Sequence, residues 1–445
     1  MTDELLNVAQ DIVARATKLG ATAVDALAID AQGTDIEMRE GQIEKLERTE
    51  ARAIGLRVFV GQSSAMISGS VFSSESLQRL AETAIAMARE APPDEFAGLA
   101  PPELLAKNIQ SLDLMSSYLP SSDELKELSL AVEQAALAVP GVTKSSGADA
   151  SASERAIALV TSTGFAQAYR RSGISISVSA IAGEGTAMER DYDYSSACHF
   201  SDLKRPEYVG TRAGERAVKR LHARKVPSQS APVIYDRRIS ASLVGHFSSA
   251  INGSSIARGT GFLKDRMGHQ IFSKGVAIVD DPLRPRGMGS RPFDGEGLAV
   301  SKRELVADGI LQGWLLDMRA ARQLKLTPTG NGARGLSSPP SPSSSNLHLE
   351  PGPLSPAEMI GSIKQGLYIT ELMGSSVDMV TGDYSRGASG FWIENGELAY
   401  PVSEITIAGN LKDMFMTLEP ANDLEFNSST NAPSCRVEGL TIAGT

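Results

Sequence analysis

GDYSRGASGFWIENGELAYPVSEITIAGNLKDMF (382–415) decides the reading of the C-terminal half. Two β-prone runs, 389–393 and 397–402, flank Glu394-Asn395-Gly396. Asn-Gly between such runs signals a tight hairpin, because a type I′ turn needs positive φ at both central residues. Residues 403–408 (SEITIA) extend the second strand. Asn410 is placed to cap a helix, LKDMFMTL, with Asp413 at its third position. The segment therefore predicts an antiparallel hairpin that runs into a short helix.

Just before the hairpin, Asp383, Tyr384, Ser385 and Arg386 are set between glycines, and Phe391 and Trp392 follow. Glycine permits close backbone approach, and a strand with free amides can accept an extended peptide by strand addition. Asp383, Tyr384, Ser385, Arg386 and Trp392 are thus the candidate peptide contacts. The competing expectation is a glycine-rich turn feeding a core strand, with Trp392 packed inside.

Upstream, a strand at 232–235 leads into a helix at 236–251. Ile239, Leu243, Phe247, Ala250 and Ile251 mark its apolar face, and His246 lies on or beside that face. Residues 331–356 have the composition of a linker, but prolines lower the entropy lost on ordering, so a fixed loop is equally open. The N-terminal half opens with a helix at 3–18 and continues with period-two runs across 22–72. Helices follow at about 74–90 and 122–138, then strands near 156–163 and 168–182, and a basic helix near 206–224. The pattern predicts an α+β fold in two domains. Residues 1–227 form an N-terminal α/β region of antiparallel sheets and helices. Residues 228–445 form a mainly antiparallel β domain, barrel- or sandwich-like, with a few helices.

The chain has 445 residues, 42% hydrophobic and 22% charged, which is ordinary for a globular protein. Its net charge of −10 argues against direct nucleic-acid binding. The longest clean apolar stretch, 53–60, is too short to span a bilayer. An acidic amphipathic N-terminus and two distant cysteines, Cys198 and Cys435, point to a reduced, cytoplasmic setting. Five histidines (His199, His222, His246, His269 and His348) are scattered, no two within ten residues, and no HExxH or HxH occurs. The chain also lacks the nucleophile elbow, the dinucleotide fingerprint and the phosphate loop.

The 382–415 segment closely resembles the C-terminal signature of the PmbA/TldE proteins. RGLSSPPSPSSSNLHLEPG (334–352), SIARGTGFLKDRMG (255–268) and APSCRVEGLTIAG (432–444) resemble the same family, and 55–70 does so more weakly. The resemblance implies two related subunits, TldD and TldE, that form a heterodimeric zinc metalloprotease acting on unfolded peptides. It is associated with maturation of a peptide antibiotic precursor, with antitoxin degradation and with a label as modulator of DNA gyrase. TldD supplies an HExxxH helix and a cysteine to the metal, and TldE lacks them.

In this chain the 236–251 helix is the place for that motif. Starting from His246, the motif needs a glutamate at 247 and a histidine at 251, where Phe247 and Ile251 stand. Cys435, in a strand, has no evident tie to the TldD cysteine. The resemblance therefore implies no catalytic and no metal-binding residues here, His246 being a vestigial candidate only. Zinc is expected in a TldD-like partner, with a homodimer in that partner's absence. Two alternatives are a self-sufficient homodimeric metallopeptidase, with His246, His269 and scattered carboxylates as ligands, and a regulatory binding protein acting on DNA gyrase.

Overall fold

The computed structural model describes residues 2–444. The opening helix α1 (Thr2–Lys18) buries Leu5, Ala9, Ile12, Val13 and Ala16, and Asp3 and Glu4 face its positive end. Strands β1 (Ala23–Arg39), β2 (Gln42–Val60) and β3 (Ser63–Gly69) form a meander. Helix α2 (Ser74–Glu90) and, after a long loop, helix α3 (Ser122–Leu137) follow. Ser121 and Glu124 close a reciprocal capping box at the start of α3.

Strands β4 (Val142–Thr161), β5 (Ala166–Ala182) and β6 (Glu189–Ala197) complete a six-stranded sheet in the order β3-β2-β1-β4-β5-β6. Every neighbouring pair in it is antiparallel. Helix α4 (Pro206–Lys219) packs beside α3. Gly210 permits this contact, since a Cβ there would lie 2.3 Å from the Val132 carbonyl oxygen. All four helices cover one face of the sheet.

Strand β7 (Gln229–Tyr235) starts the C-terminal half and runs into helix α5 (Arg237–Ala250). Strands Gln365–Val377, Asp383–Glu394, Glu397–Asn410 and Cys435–Ala443 join β7 in a second sheet. Thr406–Ala408 pairs with 441–443, so the five strands close into a barrel. One pair is parallel, β7 with Gln365–Val377, and the others are antiparallel. The predicted hairpin is present: Asn395 and Gly396 have φ of 51° and 84°. The Asn410 side chain accepts a hydrogen bond from the Lys412 amide and starts helix Leu411–Thr417. The α+β reading, with a barrel in the C-terminal half, matches the structure.

The linker-like stretch is ordered. Asn331, Ser345 and Asn346 are buried. Asn331 Nδ2 donates to Asp280 Oδ2 at 2.9 Å, and the Ser345 amide and hydroxyl both donate to Asp280 Oδ1 at 2.7 Å. Side-chain hydrogen bonds here supplement short ladders, Gly332–Ala333 with Ser341–Pro342 and Leu347–Leu349 with Ile278–Asp280.

The second face of the N-terminal sheet meets the C-terminal half. Leu27, Leu159 and Phe165 pack on Phe293, Leu298 and Met318. Asp25, 1% exposed, accepts from Arg57 Nε at 2.9 Å and from Arg334 Nη1 of the C-terminal half. Burial opposes ionisation of Asp25, and Arg334 and Arg57 overcome it, holding the carboxyl below its usual range. Burial also draws Arg334 downward, with Arg57's like charge adding to it, yet arginine stays protonated. Gly55 is required at this seam, because a Cβ would fall 2.1 Å from the Leu336 carbonyl oxygen.

Nearby, Asp294 accepts from the amides of Glu296, Leu298 and Gly332, and Glu296 accepts from the Met318 amide. Burial pushes both carboxyls up, and the charge of Asp294 pushes Glu296 further.

Two outcomes follow from the seam. Asp25→Ala strands two buried guanidiniums and should cost about 3–5 kcal/mol in denaturant unfolding; a loss under about 1 kcal/mol would contradict a supporting role. Because folding raises the pKa of Glu296, its contribution is full below the ordinary glutamate range and is lost as pH rises through neutral. Glu296→Gln should therefore gain stability relative to the parent between about pH 5 and about pH 8. A parallel pair of pH profiles would remove Glu296 as the source.

Candidate functional site

Asp236, between β7 and α5, fixes the helix in three directions. Its Oδ1 accepts from the Arg238 amide at 2.9 Å, which caps α5. Its Oδ2 accepts from the Tyr368 hydroxyl at 2.7 Å, and its own amide donates to the Ile369 carbonyl. Burial opposes ionisation, but Arg238 and the Tyr368 hydroxyl hold Asp236 below the usual carboxylate range. Arg238 then reaches Asp191 on β6 at 2.7 Å, which ties α5 to the N-terminal sheet. These residues, with Arg216, Thr370 and Tyr400, line a cavity of about 460 Å³.

The other side of α5 looks into the barrel core. His246 meets the Tyr384 ring edge-on at 6.0 Å between centroids. His246 Nε2 is buried without a hydrogen-bond partner, and the buried hydroxyls of Tyr235 and Tyr384 lie against each other. Burial lowers the His246 pKa, and Arg386 lowers it further, so the imidazole is neutral at physiological pH. Burial raises both phenols, and the proximity of Tyr384 raises Tyr235 further. Cys435 pairs across the sheet with Tyr235. Burial pushes its thiol up, and the Asp423 charge adds to this, so the sulfur stays protonated.

The hairpin residues separate into two groups. Asp383 is exposed and braces a corner, accepting from the Thr381 hydroxyl at 2.7 Å and from Asn410 Nδ2 at 3.0 Å. Ser385 and Arg386 are half-buried, and Arg386 Nε donates to the Met373 carbonyl at 3.3 Å. Tyr384 and Trp392 are 2% and 3% exposed and belong to the core, not to a surface a peptide can touch. Strand addition at 383–394 is ruled out in this fold, because that strand is paired on both sides and its ladder groups are taken. The Asp236–Arg238–Asp191 network was missed at the sequence level. Asp236 before two arginines was a visible cap signal, but nothing local announces Asp191.

The donor set on α5 does not fit a catalytic zinc ion, which needs three protein ligands, an open position and a base. Setting His246 as the second histidine of HExxxH, a register the reading from His246 onward did not include, puts Ala241 and Ser242 in the places of histidine and glutamate. Ala241 lines a small charged pocket with Arg237, Arg238 and Glu425, and His246 faces Tyr384. Among the described residues no three His, Cys, Asp or Glu side chains gather closely enough to hold a metal.

A closed five-stranded barrel, joined through a capped helix to a six-stranded antiparallel sheet, defines the class of fold. Residues 24–88, 117–221 and 228–444 match, in order, the PmbA/TldA metallopeptidase domain 1, central domain and C-terminal domain. Metalloprotease PmbA of Escherichia coli O157:H7 is 38% identical over 414 residues, covering 93% of this chain and 90% of that protein. The crystal structure of a candidate modulator of DNA gyrase from Bacteroides thetaiotaomicron superposes with a TM-score of 0.91 at 28% identity, covering 100% of both chains. TldE from Thermococcus kodakarensis shares the fold, with a TM-score of 0.86 at 20% identity over 98% of this chain and 100% of that one. The chain belongs to the PmbA/TldD family of metallopeptidases.

The state of Cys435 gives a direct check. Iodoacetamide should leave it unmodified in the folded protein and alkylate it after unfolding in guanidinium, read by peptide mass mapping. Alkylation of the native protein would contradict a buried, protonated thiol.

Proposed function

We propose that this chain is the TldE/PmbA-like subunit of a heterodimeric zinc peptidase that acts on unfolded peptides. The zinc belongs to a TldD-like partner, and this chain helps shape the chamber that admits substrate. The observation that carries the reading is the chemistry of α5, where Ala241, Ser242 and a neutral His246 occupy a helix that offers no ligand set. Without a bound cation and a neighbouring carboxylate, no water is activated there. Family membership and the TldE name of a structural neighbour support the same reading. Precursor-peptide maturation and antitoxin degradation are the proposed roles, in the cytoplasm. In the absence of the partner, the chain forms a homodimer.

A second reading, regulation of DNA gyrase, draws on the description of the Bacteroides thetaiotaomicron structure. With a net charge of −10, such a role runs through protein contact and not through DNA.

The test is cleavage of an unfolded peptide by the chain alone and by the chain mixed with a TldD homologue. Background activity alone and chelator-sensitive cleavage in the mixture is the expected result. Strong chelator-sensitive proteolysis by the lone chain would reject the proposal.

A further inference from the structure

The face of the six-stranded sheet opposite the helices is only partly covered. Apolar residues at one end pack on the C-terminal half, and beyond them the face opens into a cleft of about 600 Å³. Its far wall is the turn Met288-Gly289-Ser290-Arg291.

On the floor, Arg155 of β4 and Arg171 of β5 stand directly opposite each other. Their Cβ atoms are then about 5 Å apart, and like charges in that relation repel. Neither arginine meets a carboxylate. Arg171 Nη2 donates to the Met288 carbonyl at 2.5 Å. The Arg155 side chain is exposed and makes no hydrogen bond or ion pair among the described residues. Arg291 adds a third cation from across the cleft. Its Nη2 donates to the Ser343 carbonyl at 3.1 Å, and its Nε is buried with no acceptor. The charges of all three reach one point, the half-buried Tyr169 phenol, where they oppose the rise that burial causes. The acidic residue lining the cleft, Glu154, is held by Arg170 at 2.7 Å.

A second row crosses the floor: Thr49, Gly33, Ser153 and Gly173 are in cross-strand register. The fold does not demand glycine in it. A Cβ on Gly33 would lie 3.6 Å from Ser153 Cβ, and one on Gly173 would lie 3.4 Å from Ser153 Oγ. Their bareness leaves the floor flat enough for a backbone to lie on.

Arg155 and Arg171 face no carboxylate, and Arg291 has near it only the buried Asp294, whose carboxyl burial pushes up; in a protein of net charge −10 such a cluster calls for an anion. A structural role accounts for Arg171 as a strut to the 288–291 turn, but not for Arg155 placed against it. We propose that this cleft binds the carboxylates of an extended acidic peptide segment, with Arg155, Arg171 and Arg291 as the recognising groups. The inference rests on the reading that the chain handles unfolded peptide, and it adds a preference for acidic stretches.

The test is fluorescence anisotropy on the full-length chain with a rhodamine-labelled glutamate-rich peptide and its glutamine counterpart. The acidic peptide should bind at least about tenfold tighter, and the margin should shrink as salt is raised. Arg155→Gln should weaken that binding about tenfold at unchanged thermal stability, since the side chain has no partner to lose. Gly173→Leu should block the floor and weaken both peptides. Inorganic phosphate should displace the acidic peptide only weakly, as a single anion spans fewer of the three cations. Equal binding of the two peptides, full retention by Arg155→Gln, or a site filled by phosphate while the peptide fails to bind would each overturn the proposal. Because binding is read without a partner, this result stands apart from the cleavage assay. Partner-dependent cleavage with no acidic preference would remove this inference and leave the subunit assignment in place.

Discussion

Asp25 is the point on which the arrangement of the two halves depends. A carboxylate on the first strand of the N-terminal sheet would be costly to bury alone. It is ionised because Arg57 approaches from the neighbouring strand and Arg334 from the C-terminal half. Breaking such a group is worse than never having built it, since each partner is left charged in a dry setting. The same seam brings Gly55 against the backbone of Leu336 and sets Phe293 against Phe165 and Tyr169. It also holds the 288–291 turn over the open face of the sheet. The cleft with its three arginines is therefore a product of the contact between halves and would not exist in either half alone.

The helix α5 shows how a family fold can be kept while the local chemistry differs. Asp236 caps it, Tyr368 holds the cap, and Arg238 carries the connection to Asp191. These contacts fix the helix whatever its exposed side chains are. Its inward side is apolar apart from His246, a neutral imidazole, and the groups nearby on the barrel strands are inert: two mutually close phenols and a protonated thiol. Such a cluster stabilises no developing charge and generates no nucleophile. On the proposed reading, the barrel and its helix are a frame for a partner's chemistry.

What the sequence made legible was local. Asn395-Gly396 specifies its turn because two adjacent residues need positive φ, and Asn410 specifies a cap within two residues of itself. Period-two and helical spacings gave the α+β class. Trp392 and Tyr384 were ambiguous because a glycine-rich segment reads the same whether its strand lies at an edge or in the centre of a sheet. The fold resolves this through pairing partners on both sides. The 331–356 stretch stays open for a related reason: the Asn331 and Ser345 side chains bond to Asp280, 51 and 65 positions earlier. Arg334 is 309 positions from Asp25, and Arg155 gains its meaning only from Arg171 on the next strand and Arg291 from the other half. No spacing rule reaches such distances.

The claim at the centre is that this chain carries the fold of a metallopeptidase without the means to hold its hydrolytic cation. Elemental analysis of protein purified without chelator, alone and bound to a TldD-like partner, tests this most directly. The account predicts no stoichiometric zinc on the lone chain and zinc in the complex in proportion to the partner. Zinc bound one to one by the lone chain, and lost on His246→Ala, would contradict it.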